Sequence, residues 1–368
     1  LRKIRGRTSA VKEPAVDPHR FRKNESTSSD GTGGAMRAFV YEFVTASGIG
    51  RAPDSADHSL YTEGRAMRDA LAADLTAAGH AVTISPEPEE LADDEPAFRA
   101  LAAACEVAFV IAPETGDWLR ERSRLAAELG ARVIGPSSDA IRLCGSKSAL
   151  AHHWHEAGVR APRTGPFGAA WDAFPAVLKP DHGAGSQHTY LLNSRDDVSA
   201  AYSDFHPAGT RENEMVFTEF VPGRAASVAF LCGPRGTVPL VPAFQHLSAD
   251  GRFGYEGGEL PIPPDLAARA AALGRAATDC VPGLCGYVGV DLVLGDAPDG
   301  SGDFAIEINP RLTTSYTGLR ALADFNLADA LLRVALGEAI PEPRWKPGRV
   351  AFGANGSINL ADGFVGRS

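Results

Sequence analysis

GYVGVDLVLGDAPDGSGDFAIEINPRLTTSYTGLR, residues 286–320, carries more chemistry than any other segment of this 368-residue chain. Two strand-like runs flank a turn region rich in Gly and Asp, a pattern that predicts an antiparallel hairpin. Ile306 and Ile308 alternate with Glu307 and Asn309, so the two polar side chains leave one face of the second strand and the isoleucines leave the other. Asp291, on the first strand, comes within reach across the hairpin. An Asp, a Glu and an Asn are hard oxygen donors, the set expected of a Mg2+ site that also takes phosphate groups and water. Arg311 follows on the same side, where a planar guanidinium can grip a phosphoryl or carboxylate group with two parallel hydrogen bonds. Solvated hairpin residues would not require so regular an alternation.

Upstream, strand-like and helical periods alternate. MRAFVYEFV (36–44), AVTIS (81–85), EVAFVIAP (106–113) and ARVIG (131–135) are short apolar runs. Between them lie Ala-rich helical stretches, including LYTEGRAMRDALAADLTAAG (60–79), which closes on Gly79. Runs apolar on both faces fit parallel strands covered by helices, so an open parallel sheet is expected over 36–140. The first strand breaks into TASGIGRAPDS, which lacks the spacing of a dinucleotide fingerprint. It reads either as a substrate-binding loop, with Ser47 and Arg51 as polar contacts, or as a plain turn.

The middle of the chain adds cations. In SKSALAHHWHEAG (146–158), Ser146 is placed to cap a helix whose first turn holds Lys147 and which ends at Gly158. AVLKPDHGAGSQHTYLL (176–192) puts Lys179 at the end of one strand-like run, before a Gly-containing loop and a second run. Glycines let backbone N–H groups approach phosphate oxygens and a lysine adds a point charge, although no Walker sequence is present. MVFTEFVPG (215–223) carries Glu219 inside an apolar run, which places it at a sheet edge or facing a ligand. RAASVAFLC (224–232) and TVPLVPAFQHLS (237–248) are further strand-like runs, ADGRFGYEGGELPIP (249–263) reads as a loop, and 265–278 as an Ala-rich helix. His152, His153 and His155 lack the spacing of a helical metal pair.

With 44% hydrophobic and 22% charged residues, the composition is that of a globular protein, and no apolar run is long enough to span a bilayer. Five cysteines without a CxxC pair are neither a disulfide framework nor a zinc site, so a cytoplasmic location is expected. The net charge of −10 conceals eight Lys/Arg against four Asp/Glu in residues 1–35, which leaves an acidic body that would repel a nucleic-acid backbone. The leader has no apolar core of a secretory signal. It reads as a disordered extension, or as upstream sequence with Met36 the natural first residue.

The order of Lys147, Lys179 before its Gly loop, TEFVPG, GVDLV and EINPR resembles the ATP-grasp superfamily over residues 36–342. The resemblance implies an α/β protein, α+β in the nucleotide lobes. Its parts would be a leader (1–35), an N-terminal parallel-sheet domain on the substrate side (36–140), a central lobe with the glycine loop (141–215), a lobe with the metal site (216–342) and a tail (343–368). ATP and Mg2+, with Mn2+ as the alternative metal, are the implied cofactors. Lys147 and Lys179 would meet the nucleotide phosphates, His182, Gly183, Gly185 and Ser186 form the mobile loop, and Glu219, Phe220 and Val221 hold adenine and ribose. Asp291, Glu307 and Asn309 match the metal ligands, and Arg311 with Lys179 would act in catalysis. Many members carry a Glu shortly after the VPGR-like turn, where this chain has Ala225 and Ala226, which moves the expected ribose contact to Glu219.

Within the superfamily, YEFVTASG, SLYTEGRAM, GRAASV, GYEGG and EINPRLTTSYTGLR look like the tyramine–glutamate ligase branch of methanofuran biosynthesis. That likeness implies an ADP-forming carbon–nitrogen ligase joining the glutamate side-chain carboxylate to tyramine, tyrosine or a similar amine. Ser47, Arg51, Tyr316 and Arg320 are the candidate substrate contacts. The expected partners are small molecules, with no nucleic acid and no membrane, and a homodimer stays open. Two rival readings are an ATP-grasp enzyme that activates bicarbonate or carbamate, like carbamoyl-phosphate synthase, and a nucleotide-binding module without catalysis. The intact Asp/Glu/Asn/Arg set argues against the second.

Overall fold

The computed structural model describes residues 34–361, apart from residues 56, 169, 184, 207–210 and 212–213. The leader expected over 1–35 thus lies outside the described residues except for its last two positions. From Ala35 onward the chain packs as one unit.

β1 (Arg37–Glu42) passes through the short α1 (Phe43–Ser47) and the long α2 (His58–Ala77) to β2 (Ala81–Ile84). α3 (Glu95–Ala104) leads to β3 (Val107–Ile111), and α4 (Trp118–Glu128) to β4 (Arg132–Val133). These strands pair in parallel in the order β2-β1-β3-β4. In β1, Ala38 and Val40 enter the core that takes Met67, Leu71 and Leu75 of α2, while Phe39 and Tyr41 enter the core of Phe98 and Leu119. Side chains alternate across a strand, so a run apolar throughout is what a strand covered on both faces demands.

α5 (Ser138–Gly145) and α6 (Lys147–Glu156) lead to a small antiparallel sheet of β5 (Thr164–Pro166), β6 (Ala176–Pro180), β7 (Tyr190–Leu192) and, after α7 (Asp197–Phe205), β8 (Met215–Glu219). Ser146 caps α6, its hydroxyl accepting from Ala149 N. A larger antiparallel sheet begins with β9 (Arg224–Gly233), β10 (Gly236–Pro239), β11 (Ala243–Leu247) and β12 (Tyr255–Leu260). α8 (Pro264–Asp279) precedes the hairpin β13 (Gly286–Leu294) and β14 (Phe304–Asn309), and α9 (Ser315–Leu322) and α10 (Leu327–Leu336) precede β15 (Arg349–Gly353) and β16 (Ile358–Ala361). The order is β14-β13-β9-β11-β12-β15-β16, with β10 on β9. β9 divides two cores: Val228, Phe230 and Cys232 pack with Ala270 and Ala277 of α8, and Ala229 and Leu231 pack with Leu331 of α10.

Two readings of the sequence give way here. The segment 249–263, read as a loop, contains β12, and the reason is glycine: Gly257 has φ +137, and a Cβ there would lie 2.1 Å from the Phe352 carbonyl oxygen. Strand positions that must stay bare leave no alternation to read. The segment 343–368, read as a tail, supplies β15, which extends the sheet beside β12. All five cysteines are free thiols, and no helix among the described residues is long and apolar enough to cross a membrane.

Candidate active site

The small sheet, the β13–β14 hairpin and α2 enclose a cleft of about 560 Å³. Asp181 brings one lysine, Lys147, to its wall. Its carboxylate accepts from Ser146 Oγ (2.7 Å) and Ser148 N (2.7 Å), and its carbonyl from Lys147 N (3.1 Å), which pins the start of α6 to the end of β6. Lys147 Nζ then donates to Gly183 O at 3.0 Å and lies 3.6 Å from Glu307 Oε2. Lys179 follows from the alternation of β6, where Leu178 enters the core while Val177 and Lys179 line the cleft. Burial pulls the Lys179 ammonium down to about 8 against the Glu307 charge, and Lys147 adds to the descent. A cation in the first turn of a helix opposes the macrodipole, and a second buried beside it is costlier still. Both cations therefore stand where the local structure disfavours them.

In the hairpin ladder Asp291 stands opposite Glu307, and Gly289 opposite Asn309. Asn309 Nδ2 donates to Asp291 Oδ2 (3.0 Å) and Gln245 Nε2 of β11 donates to Oδ1 (2.9 Å). Burial, and then the Glu307 charge, push the Asp291 carboxyl up to about 7. Burial also works to raise Glu307, but Lys147, Lys179 and Arg311 outweigh it and hold that carboxyl below its ordinary value. Two carboxylates on one rung do not both ionise readily without a counter-cation, and with Asn309 they present hard oxygen donors. The set therefore fits a divalent cation such as Mg2+. Among the described residues no group of three His, Cys, Asp or Glu is placed to hold a metal, so the candidate is this pair with its carboxamide.

Arg311 turns toward Glu114, with Nε 3.0 Å from Oε1 and side chains 13% and 6% exposed. Its Nη2 lies 3.2 Å from Glu114 Oε2 and 3.4 Å from Asn309 Oδ1. Gly183, Gly185, Ser186, Glu219, Phe220 and Val221 line the same cleft. His182 is not among the lining residues; its ring lies 3.5 Å from Asp181. Residue 184 of the glycine loop lies outside the described residues.

The four candidate substrate contacts are not brought into this cleft. Ser47 Oγ is buried and donates to Phe43 O (2.8 Å). Arg51 Nη1 donates to the carbonyls of Glu87 (3.1 Å) and Pro88 (2.7 Å), beside a separate depression lined by His58, Tyr61 and Arg65. Tyr316 Oη (2.7 Å), Arg320 Nε (2.9 Å) and Arg320 Nη2 (2.6 Å) all donate to the Asp74 carboxylate on α2. α9 turns this face to α2, and Thr313, Thr314 and Ser315 at its start line the cleft instead. The histidines of α6 serve locally: His153 and His155 contact the carbonyls of Cys280 (2.7 Å) and Ala161 (2.8 Å), and His152 pairs with Glu156.

Sequence reading missed Glu63, Glu114 and Gln245. Glu114 had a signal, since it follows the C-terminal end of a parallel strand, where ligands bind in open α/β sheets. Glu63 lies in SLYTEGRAM, one of the segments singled out above, and Gln245 carried no signal.

A parallel sheet followed by two antiparallel sheets, with two lysines and a carboxylate pair converging between them, defines the class. The chain belongs to the ATP-grasp superfamily: residues 144–315 match the ATP-grasp domain and residues 65–141 the pre ATP-grasp 3 domain. It is 27% identical over 233 residues to the tyramine–L-glutamate ligase of Methanocaldococcus jannaschii, covering 63% of this chain and 64% of that protein. With that of Methanocaldococcus fervens it is 28% identical over 233 residues, 63% of this chain and 67% of the relative. The chain thus spans less than two thirds of the first relative's length. In fold it resembles an ATP-grasp superfamily protein from Archaeoglobus fulgidus (TM-score 0.66, 22% identity, 86% of this chain and 92% of that one). It also resembles the biotin carboxylase of Campylobacter jejuni (TM-score 0.62, 17% identity, 86% and 75%).

Proposed function

We propose that this chain is an ADP-forming ligase that joins a carboxylate to an amine through an acyl phosphate, with the L-glutamate side chain and tyramine, or a similar aromatic amine, as its substrates. The convergence of Lys147, Lys179, Asp291 and Glu307 on one cleft is the observation that carries the reading. The names of the two Methanocaldococcus relatives support the substrate pair.

A carboxylate resists attack by an amine because resonance and negative charge oppose it. In the proposed reaction the substrate carboxylate displaces ADP from the γ-phosphorus of ATP, and the amine nitrogen then displaces phosphate from the acyl carbon. Lys147 and Lys179 bind and orient the phosphates. Asp291, Glu307 and Asn309 would hold Mg2+, which supplies positive charge to phosphate oxygens. Gln245 keeps the Asp291 carboxylate oriented. Arg311, set by Glu114, orients the transferred group. Phe220 and Val221 provide the adenine wall and Glu219 the ribose contact. The loop with Gly183 and Gly185 keeps water from the acyl phosphate.

Incubation with ATP, Mg2+, L-glutamate and tyramine, followed by mass spectrometry, should yield one amide per ADP. ATP turnover that depends on bicarbonate would favour the rival chemistry, and no turnover with any acid and amine would sink the ligase reading.

A further inference from the structure

Among the described residues four acids line the cleft, and three have tasks: Asp291 and Glu307 form the rung of the hairpin, and Glu219 closes β8. Glu63 is the fourth. It projects from α2, one turn before Met67, which lines the same wall. Thr314 Oγ1 approaches its Oε2 at 3.5 Å, and no lysine or hairpin residue among the described residues hydrogen-bonds it. The charged or titratable groups facing it are Arg311 and, from β12, Tyr255. Burial pushes the Glu63 carboxyl up to about 7, against the Arg311 charge and the Thr314 hydroxyl. Glu63 thus places a carboxylate on the cleft wall, within the field of the arginine that would orient the acyl phosphate and with only a hydroxyl hydrogen-bonded to it among the described residues.

We infer that Glu63 receives the ammonium group of the acceptor amine and takes the proton that it must lose before attack. The inference rests on the ligase reading and adds a residue to it. An ammonium nitrogen has no free electron pair. When its N–H bond breaks, the proton passes to the Glu63 carboxylate and the pair stays on nitrogen. That pair forms the C–N bond as the bond from the acyl carbon to the phosphate oxygen breaks, and a second proton leaves with the phosphate.

The test compares two acceptors in wild type and Glu63→Gln, with L-glutamate, ATP and Mg2+. Hydroxylamine is uncharged at neutral pH and needs neither an ammonium receptor nor a proton acceptor. The variant should form glutamyl hydroxamate at nearly the wild-type rate, yet lose about tenfold to a hundredfold in kcat/KM for tyramine, with Glu63→Asp restoring part of it. Equal loss with both acceptors, unchanged use of tyramine, or a raised KM for glutamate measured with hydroxylamine would each overturn the inference. Absence of hydroxamate from the wild type would overturn the ligase reading, and this inference with it.

Discussion

Asp291 and Glu307 occupy one rung of the β13–β14 ladder, and Asn309, two residues further along its strand, donates to Asp291 at 3.0 Å. The proposed cation site thus consists of side chains held by a ladder rather than by loops. Asp291→Asn and Glu307→Gln should each lower ATP-dependent product formation by about a hundredfold or more, because each removes charge that the cation needs. Circular dichroism should stay that of the wild type, and the rise in Tm on adding Mg2+ and ATP should disappear. Near-normal turnover in both variants would remove the metal assignment.

Arg311 and Glu114 form a nearly buried pair 197 residues apart in sequence. Glu114→Gln leaves a guanidinium without its counter-charge and should cost about 3 kcal/mol in urea unfolding. The double variant Arg311→Met with Glu114→Leu should recover much of that stability but no ADP release, since packing replaces the pair while the orienting charge is gone. A double variant as active as the wild type would show the pair to be structural alone.

Gly185 has φ +67, and a Cβ there would lie 2.8 Å from Leu60 Cδ2 of α2. Gly185→Ala should therefore strain the loop, whose left-handed backbone disfavours a Cβ, and raise the share of ATP hydrolysed without amide. Gly183, where the nearest atom to a Cβ is that of Pro180 at 3.4 Å, should tolerate alanine better. An unchanged ratio of ADP to amide in Gly185→Ala would show that the loop excludes no water.

Arg320 is committed to Asp74, so Arg320→Ala should destabilise the fold by about 1–3 kcal/mol and leave the KM for glutamate, tyramine and tyrosine unchanged. Loss of one amine alone would return Arg320 to the substrates.

Lys179 gives stability a pH dependence. Its ammonium is pulled from 10.5 down to about 8 in the fold, so between those values the unfolded chain holds a proton that the folded chain has shed. Stability from this group therefore rises with pH across that window. In ligand-free protein, the wild type should gain about 2 kcal/mol on Lys179→Met between pH 7 and pH 9.5, read from urea midpoints. A constant gap between the two proteins would mean that Lys179 is not desolvated.

What was legible in the chain is what periodicity and local order write into it. The Ile306–Asn309 alternation, the four apolar runs of the parallel sheet and the capping of α6 by Ser146 depend on neighbours a few residues away, and strand and helix periods report these directly. The positions of Lys147, Lys179 and the hairpin donors on their elements were readable for the same reason, while the phosphate role expected of the two lysines came from the family resemblance. Tertiary packing decided the rest. Tyr316 and Arg320 sit on a polar face of α9, and whether that face meets a substrate or Asp74 depends on where α2 lies. Glu63 on α2 and Gln245 on β11 reach the cleft, and Glu114 after β3 reaches Arg311, by approaches that no local pattern encodes. β12 went unread because Gly257 must stay bare against the Phe352 carbonyl, a constraint imposed by a strand almost a hundred residues away. Local sequence specifies which way a side chain leaves its own element, and only the packing of elements specifies what it meets.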